Sequence, residues 1–150
     1  MRVALDTNVL AYAEGVNGAD MQRAALDVIC MLPQEAVFLP VQALGELFRV
    51  LTWKAGRSAA VARDAILHWC DAFSTIESSR AVILGAADLT EAHRLNFWDA
   101  VILNAAAEGD CRLLLSQDMQ HGFTWNGVTV VNPFREPRQP LFSALIGGAG

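Results

Sequence analysis

The chain has 150 residues, of which 53% are hydrophobic and 18% are charged, and its formal net charge at pH 7 is −5. A chain of this length and apolar content forms one domain with a sizeable core, which excludes a disordered protein. The acidic balance excludes a generally basic protein that coats nucleic acid through its phosphates, but it is compatible with a local basic patch.

The distribution of apolar residues predicts short strands that alternate with helices. The predicted strands are continuous apolar runs, and the predicted helices carry apolar residues at every third or fourth position. In chain order the predicted elements are a strand at 2–5, a helix after Asp6, a helix at 19–32, a strand at 36–39, a helix from 41, a helix at 59–71 capped by Ser58, an edge strand at 73–76, a helix from Ser78 or Ser79 to 94, a helix at 97–108, and strands at 112–115 and 128–131. Continuous apolar strands are typical of a parallel sheet covered on both faces. We therefore predict an α/β fold with a parallel sheet of four to five strands.

Local signals refine these predictions at particular residues. Thr7 or Asn8 is expected to cap the first helix, and Gly85 weakens the prediction of a helix around it. Gly109 is expected to end the helix at 97–108 in a left-handed conformation. We expect one domain at 1–134, followed by a C-terminal tail at 135–150 that begins ordered and ends mobile.

Cysteine usage and hydropathy indicate the compartment. The three cysteines are widely separated, which favours buried thiols in a reducing environment. Asp6 interrupts the apolar N-terminus too early for a signal peptide, and no apolar run is long enough to span a membrane. We therefore expect a cytoplasmic protein with no membrane contact.

Two aspartates follow predicted strands. Asp6 ends the strand at 2–5, and Asp118 lies just past the strand at 112–115. Ligands of open parallel sheets bind at the carboxyl ends of the strands, so both acids face one crevice if these strands are neighbours. The structural alternative is an ordinary turn or N-cap aspartate.

Asp99 is a third candidate because of its place on a helix. Ile102, Leu103 and Ala106 lie on the same side of that helix, which places the carboxylate in line with an apolar stripe. A buried carboxylate is costly unless it is paired, capped or bound to a metal. The alternative is an acid that the helix N-terminus favours.

Convergence of Asp6, Asp99 and Asp118 requires either a raised pKa or a hard divalent cation, because like charges at close range repel. Mg²⁺ prefers carboxylate oxygens and water. The three histidines form no zinc-binding pair. An acidic site with oxygen ligands indicates metal-assisted phosphoryl chemistry.

The helix after Pro40 carries weaker candidates. Glu46 lies opposite the apolar stripe of this helix, so periodicity alone predicts a solvated glutamate. The stretch from Leu47 to Arg63 contains no acid and four basic residues, Arg49, Lys54, Arg57 and Arg63, and it is a candidate for binding phosphates, above all through the first three. A solvated helix face is the alternative for most of these basic residues. Trp98 either stacks on a base or belongs to the core, and its apolar character favours the core.

Several sequence blocks, taken together in order and spacing, resemble those of PIN-domain ribonucleases. The blocks are LDTNVL at 5–10, LGEL at 44–47, NFWDAVI at 96–102, LLSQDM at 114–119 and GVTVVNPF at 127–134. The similarity covers residues 1–134. Within this family the chain looks most like the VapC-type toxins of bacterial toxin–antitoxin pairs.

The resemblance implies a three-layer α/β/α sandwich with a central parallel sheet and a Mg²⁺- or Mn²⁺-dependent endoribonuclease site. It also implies an RNA substrate, a small antitoxin protein that blocks the cleft, and a homodimer. The resemblance further implies cleavage products with 5′-phosphate and 3′-hydroxyl ends.

The resemblance also assigns residues to the site. Four carboxylates fall on the family's acidic quartet of catalytic residues, and three of them, Asp6, Asp99 and Asp118, are the expected metal ligands. The fourth carboxylate is Glu46. Asn8 and Ser116 fall on polar positions that support the quartet by hydrogen bonds.

Two other functions remain open from the sequence. A phosphatase of the haloacid-dehalogenase type also begins with a strand that ends in aspartate, but it needs a second acid where Asn8 stands, and Lys54 is the only lysine available. A non-catalytic PIN-like module that binds RNA or protein is the other alternative. The complete acid set argues against it, because uncompensated clustered carboxylates destabilise a fold.

Overall fold

A computed structural model of the chain describes residues 1–147. The elements are β1 (Arg2–Leu5), α1 (Thr7–Ala13), α2 (Ala19–Met31), β2 (Val37–Pro40), α3 (Val41–Trp53), α4 (Ala59–Ala72), β3 (Ser74–Ile76), α5 (Arg80–His93), α6 (Phe97–Glu108), β4 (Cys111–Leu115), β5 (Thr124–Trp125), β6 (Val128–Val131) and α7 (Pro140–Gly147). A short 3-10 helix at Gln34–Ala36 leads into β2.

The strands form a single six-stranded sheet with the order β3-β2-β1-β4-β6-β5. Every neighbouring pair is parallel except β5 and β6, which are antiparallel. The predicted α/β class with helices flanking a mostly parallel sheet is confirmed. The strand count is higher than expected because the two-residue β5 is too short to produce a periodic signal. Since β1 lies between β2 and β4, the carboxyl ends of these three strands meet at one edge.

Helix α6 lies in the centre of the core. Its residues from Ala100 to Ala106 are all buried, so the helix is enclosed around its whole circumference. The strands beside it are equally buried, with Leu113, Leu114 and Leu115 of β4 fully inaccessible. This burial fixes the first turn of α6, which carries Asp99, against the edge of the sheet. Within residues 1–147, no helix combines the length and apolar character needed to cross a membrane.

The predictions were wrong for the caps of two helices and for the burial of two cysteines. The N-cap of α1 is Asp6, whose carboxylate accepts the N–H of Thr7 at 2.7 Å. Gly109 has an ordinary φ of −82° because it continues the last turn of α6, and Asp110 adopts the left-handed φ of 59° instead. Only one of the three cysteines is buried, and Cys30 and Cys70 are exposed.

The C-terminal region contains a helix that the sequence did not predict. The prediction there was only a tail that begins ordered and ends mobile, but Pro140 is the first residue of α7, where a proline's missing N–H costs nothing. Phe142 and Leu145 of this helix are buried in the core. The division into a domain at 1–134 and a tail at 135–150 stays a prediction, and the end expected to be mobile includes residues 148–150, which lie outside the described residues.

Gly85 is explained by the packing of α5 on α6. A Cβ at this position would overlap Oδ1 of Asn104. Asn104 is buried and cannot move away freely, because its amide donates to the carbonyl oxygen of Ala100 at 2.8 Å and its Oδ1 accepts from Nε1 of Trp125 at 3.4 Å. The glycine therefore lets the two helices approach closely.

Gly85→Ala is expected to lower the free energy of unfolding by about 1–3 kcal/mol, because it overpacks the contact between α5 and α6. Gly45→Ala is the matched control, since Gly45 lies within α3 and a Cβ there would meet no atom within 4 Å. The control is expected to raise stability by up to about 1 kcal/mol through helix propensity. Urea unfolding of both variants provides the measurement, and equal effects would contradict the packing argument.

Candidate active site

Asp6 is the buried centre of the candidate site. It follows the central strand β1 and is only 3% exposed. Its Oδ2 accepts hydrogen bonds from Oγ of Ser116 at 2.6 Å and from Nδ2 of Asn8 at 3.2 Å. Burial, with a smaller contribution from the charges of Asp99 and Glu46, raises the pKa of Asp6 to about 7 against the opposing effect of the hydrogen bonds.

Asn8 and Ser116 join the ends of β1 and β4. Ser116 donates its hydroxyl proton to Asp6 and accepts the backbone N–H groups of Asp118 and Met119, each at 3.2 Å. Oδ1 of Asn8 accepts the N–H of Gln117 at 3.1 Å. Both side chains are buried. Their hydrogen bonds therefore hold the Asp6 carboxylate and the loop that carries Asp118 in a fixed relation.

Glu46 lies at the site rather than on a solvated face. Its carboxylate accepts the hydroxyl of Thr7 at 2.7 Å and Nε2 of Gln42 at 3.3 Å. The side chain is half-buried because α1 packs against α3. Periodicity within α3 cannot predict this contact, because α1 comes to lie against α3 only in the tertiary structure.

Asp99 lies half-buried in the first turn of α6, and it is not the helix cap. Asn96 is the N-cap, and its Oδ1 accepts the N–H groups of Trp98 and Asp99 at 3.0 Å and 3.3 Å. Burial raises the pKa of Asp99, and the charges of Glu46 and the exposed Asp118 add to the effect. The four predicted carboxylates are therefore close enough to influence one another.

The donor set fits a hard divalent cation. All four groups are carboxylates, and their charges act on one another. Residues 1–147 contain no group of three or more His, Cys, Asp or Glu side chains already arranged to hold a metal ion. An open set of carboxylates suits Mg²⁺, which keeps several waters and needs few protein ligands, but it does not suit a closed tetrahedral zinc site.

A cavity of about 710 Å³ lies beside these acids. The acidic residues Glu46 and Asp118 line it, and so do the basic residues Arg49 and Lys54. Asp6 and Asp99 are not among its lining residues, although Thr7 and Asn8, which bind Asp6, are. Negative and positive charge therefore meet around one open space.

Arg57 lies away from the cavity, whereas Trp98 lines it. Arg57 forms an ion pair with Glu14 at 2.7 Å and does not line the cavity. Trp98 is 49% exposed and lines the cavity, so the preference for a core position was wrong. Its place in the first turn of α6, ahead of the enclosed segment, explains the exposure.

Several residues at the site were not predicted from the sequence. Thr7 binds Glu46, and Gln42 binds it from one helical turn away, a spacing that could have suggested the pair. Tyr12 lines the cavity and donates its hydroxyl to the side chain of Gln117. Burial raises the pKa of Tyr12, and the charge of Asp118 adds to this effect. Nothing in the local sequence indicates the Tyr12 contact, because it joins positions far apart in the chain.

Solved structures with a similar fold belong to toxin–antitoxin systems. The VapC20 toxin of Mycobacterium tuberculosis, described as Sarcin-Ricin loop cleaving, has a TM-score of 0.66 and 16% identity over 77% of this chain and 89% of that one. A toxin-antitoxin complex from Klebsiella pneumoniae has a TM-score of 0.66 and 20% identity over 88% and 98% of the two chains. VapBC2 from Rickettsia felis, bound to a DNA fragment from their promoter, has a TM-score of 0.62 and 14% identity over 87% and 97%.

A protein family profile matches most of the chain. No curated protein matches the chain significantly. The profile of the PIN domain family matches residues 3–122, which include all four carboxylates and both supporting polar residues. The chain therefore belongs to the PIN domain family, whose members are generally ribonuclease hydrolases.

Proposed function

We propose that the chain is a metal-dependent endoribonuclease that hydrolyses RNA phosphodiester bonds and serves as the toxin of a type II toxin–antitoxin pair. The observation that carries the proposal is the environment of Asp6. This carboxylate is buried, oriented by Asn8 and Ser116, and close enough to Glu46 and Asp99 that their charges raise its pKa. Such an arrangement is costly for a fold that has no cation to place there.

Asp6, Asp99 and Asp118 would hold a Mg²⁺ or Mn²⁺ ion. When bound, such an ion lowers the pKa of a coordinated water and neutralises charge that grows on the phosphoryl oxygens. The protein's contribution is orientation. Ser116 and Asn8 fix Oδ2 of Asp6, while Thr7 and Gln42 fix the carboxylate of Glu46.

Arg49 and Lys54 would bind the phosphates of the RNA. Both are exposed, and both line the cavity that Glu46 and Asp118 also line. They supply local positive charge to a protein whose net charge is −5. Arg57 is engaged with Glu14 and its main-chain oxygen, so its binding role, expected from the sequence, gains no support from its position.

Arg49→Ala and Lys54→Ala are each expected to weaken RNA binding and to reduce the slope of log K against log salt by about 0.7, as for one lost contact to a single strand. Fluorescence anisotropy with a labelled single-stranded RNA at several salt concentrations measures both quantities. Arg63→Ala is the control, because Arg63 is exposed on α4 and lies outside this cavity. An equal loss in the control would contradict a local phosphate site.

An RNA-cleavage assay tests the proposed function. Internal cleavage of single-stranded RNA is expected with Mg²⁺ or Mn²⁺ and is expected to stop with excess chelator. Products should carry 5′-phosphate and 3′-hydroxyl ends. Full activity in chelator would contradict the proposal. Measurable RNA binding without cleavage under any of these conditions would favour the alternative of a non-catalytic PIN-like binding module.

The toxin role includes an antitoxin partner, a homodimer and a cytoplasmic location. The likeness of fold to chains of toxin–antitoxin complexes supports the partner. An apolar groove of about 510 Å³ between α3 and α4, lined by Leu44, Phe48 and Leu67 among others, supports an interface. Copurification with the product of a small open reading frame beside the gene, and light scattering of the isolated chain, test the partner and the dimer. A monomer that binds no such product would contradict both.

A further inference from the structure

Trp98 is a large aromatic residue that the fold leaves half-exposed at the candidate active site. Its side chain is 49% exposed and lines the same cavity as Glu46, Asp118 and Arg49. Asn96 caps its backbone N–H at 3.0 Å, and its ring packs edge-to-face on Phe97 with centroids 5.0 Å apart. The ring is therefore anchored, although it is not part of the core.

We propose that Trp98 stacks on an unpaired base of the RNA next to the phosphate that is cleaved. This inference rests on the proposed ribonuclease function and adds a specificity-determining residue to it. Every phosphate of RNA is flanked by sugars that carry bases, so a phosphate held among the charged residues of the cavity brings a neighbouring base close to Trp98, which lines the same cavity. Stacking on aromatic side chains is the usual way in which single-stranded bases are held.

The other aromatic groups near the site are already engaged. Tyr12 also lines the cavity, but its ring packs on Phe134 with centroids 5.9 Å apart and its hydroxyl donates to Gln117. Trp53 is 79% exposed, but it does not line the cavity, and the guanidinium of Arg49 lies over its ring at 4.8 Å. Among the described residues that line the cavity, Trp98 offers the more accessible aromatic surface.

Stacking on Trp98 selects for unpaired RNA. A base inside a duplex is covered on both faces by its neighbours, so it must be unstacked before it can contact the indole ring. Unstacking costs a few kcal/mol in a duplex and much less in a loop or a single strand. The substrate class that fits the cavity is therefore single-stranded or looped RNA.

The test combines a protein variant with a modified substrate. In the wild type, removal of the base beside the cleaved bond is expected to lower kcat/KM about 10-fold or more. Trp98→Ala is expected to show the same loss on intact RNA, mainly in KM, and no further loss on the abasic RNA. Trp98→Phe should retain most of the wild-type activity. Leu84→Ala is the control, because Leu84 is 51% exposed on α5 and does not line the cavity.

Two kinetic outcomes would overturn the inference. One is a Trp98→Ala variant with wild-type kinetics. The other is a Trp98→Ala variant that still loses activity when the base beside the cleaved bond is removed from the RNA. Duplex RNA that is cleaved as fast as the single strand would also overturn the selection for unpaired bases.

A binding measurement separates this inference from the proposed function. Tryptophan emission is expected to fall when the chain binds single-stranded RNA, and the fall should be largely lost in Trp98→Ala. Quenching of this kind in a chain that never cleaves RNA would reject the ribonuclease and keep the stacking. Binding without any quenching, or quenching that persists in Trp98→Ala, would reject the stacking whether or not RNA is cleaved.

Discussion

Asp6→Asn is expected to reduce RNA cleavage by about 100-fold or more while the chain stays folded. An amide has no negative charge to hold a cation, and its nitrogen cannot accept the hydrogen bond that one of the carboxylate oxygens now receives. The fold should persist because asparagine is as good an N-cap as aspartate for α1. Asp99→Asn is expected to have a loss of similar size, since Asp99 is another proposed ligand. Single-turnover cleavage of a defined RNA with Mg²⁺ measures both effects.

Asp88→Asn provides the matched control for these variants. Asp88 is exposed on α5, away from the cavity lining, and it is not among the groups whose charges raise the pKa of Asp6. The same change of charge there should leave cleavage unaltered. Near wild-type cleavage by either Asp6→Asn or Asp99→Asn would remove the basis for a nuclease site at this edge of the sheet.

The metal-free protein is expected to lose stability as the pH rises, because of Asp6. Burial raises the pKa of this carboxyl to about 7, whereas the unfolded chain titrates it near the ordinary aspartate value of about 4. Between these two values the folded state binds more protons than the unfolded state, so the free energy of unfolding falls with increasing pH. The stability contributed by protonated Asp6 is fully present below about pH 4 and is lost above about pH 7, a total of about 4 kcal/mol.

A comparison with Asp6→Asn isolates this contribution, because all other titrating groups are shared. In chelator, the variant is expected to gain about 2.5 kcal/mol relative to the wild type between about pH 5 and about pH 8. Added Mg²⁺ should restore stability to the wild type at the higher pH, since a ligand of the folded state stabilises it. Urea unfolding across this pH range provides the measurement. A stability difference that does not change with pH would contradict a buried carboxyl of raised pKa.

The sheet and the two acids that follow its strands could be predicted from local sequence. Continuous apolar runs are produced by strands that are buried on both faces, and Asp6 and Asp118 follow such runs directly. The rule that ligands bind at the carboxyl ends of parallel strands then places both acids at one edge. The topology agrees, since β1 and β4 are neighbours in the sheet.

The contacts of Glu46, Trp98 and Arg57 could not be predicted from periodicity. Glu46 and Arg57 depend on partners that are distant in sequence, namely Thr7 and Glu14, and Trp98 lines a cavity to which other elements of the fold contribute. Only the resemblance to PIN-domain ribonucleases predicted that Glu46 belongs to the site. The packing of α1 on α3 then explains why a glutamate opposite the apolar stripe of α3 is half-buried.

The short elements were missed for a different reason. The two residues of β5 are too few to form an apolar run, and α7 begins at a proline in a region that was predicted only as a tail with an ordered start and a mobile end. Tertiary contacts determine both, since β5 pairs with β6 and α7 buries Phe142. Gly85 was read as a weakness of its helix, whereas the approach of Asn104 makes the missing Cβ a requirement.

Diffraction from crystals soaked in Mn²⁺, recorded for its anomalous signal, tests most directly whether these acids share one ion. A single anomalous peak in contact with the carboxylate of Asp6, and shared with Asp99 and Asp118, is the predicted result. A structure with no peak at this edge of the sheet, or with the ion held by other residues, would contradict the account.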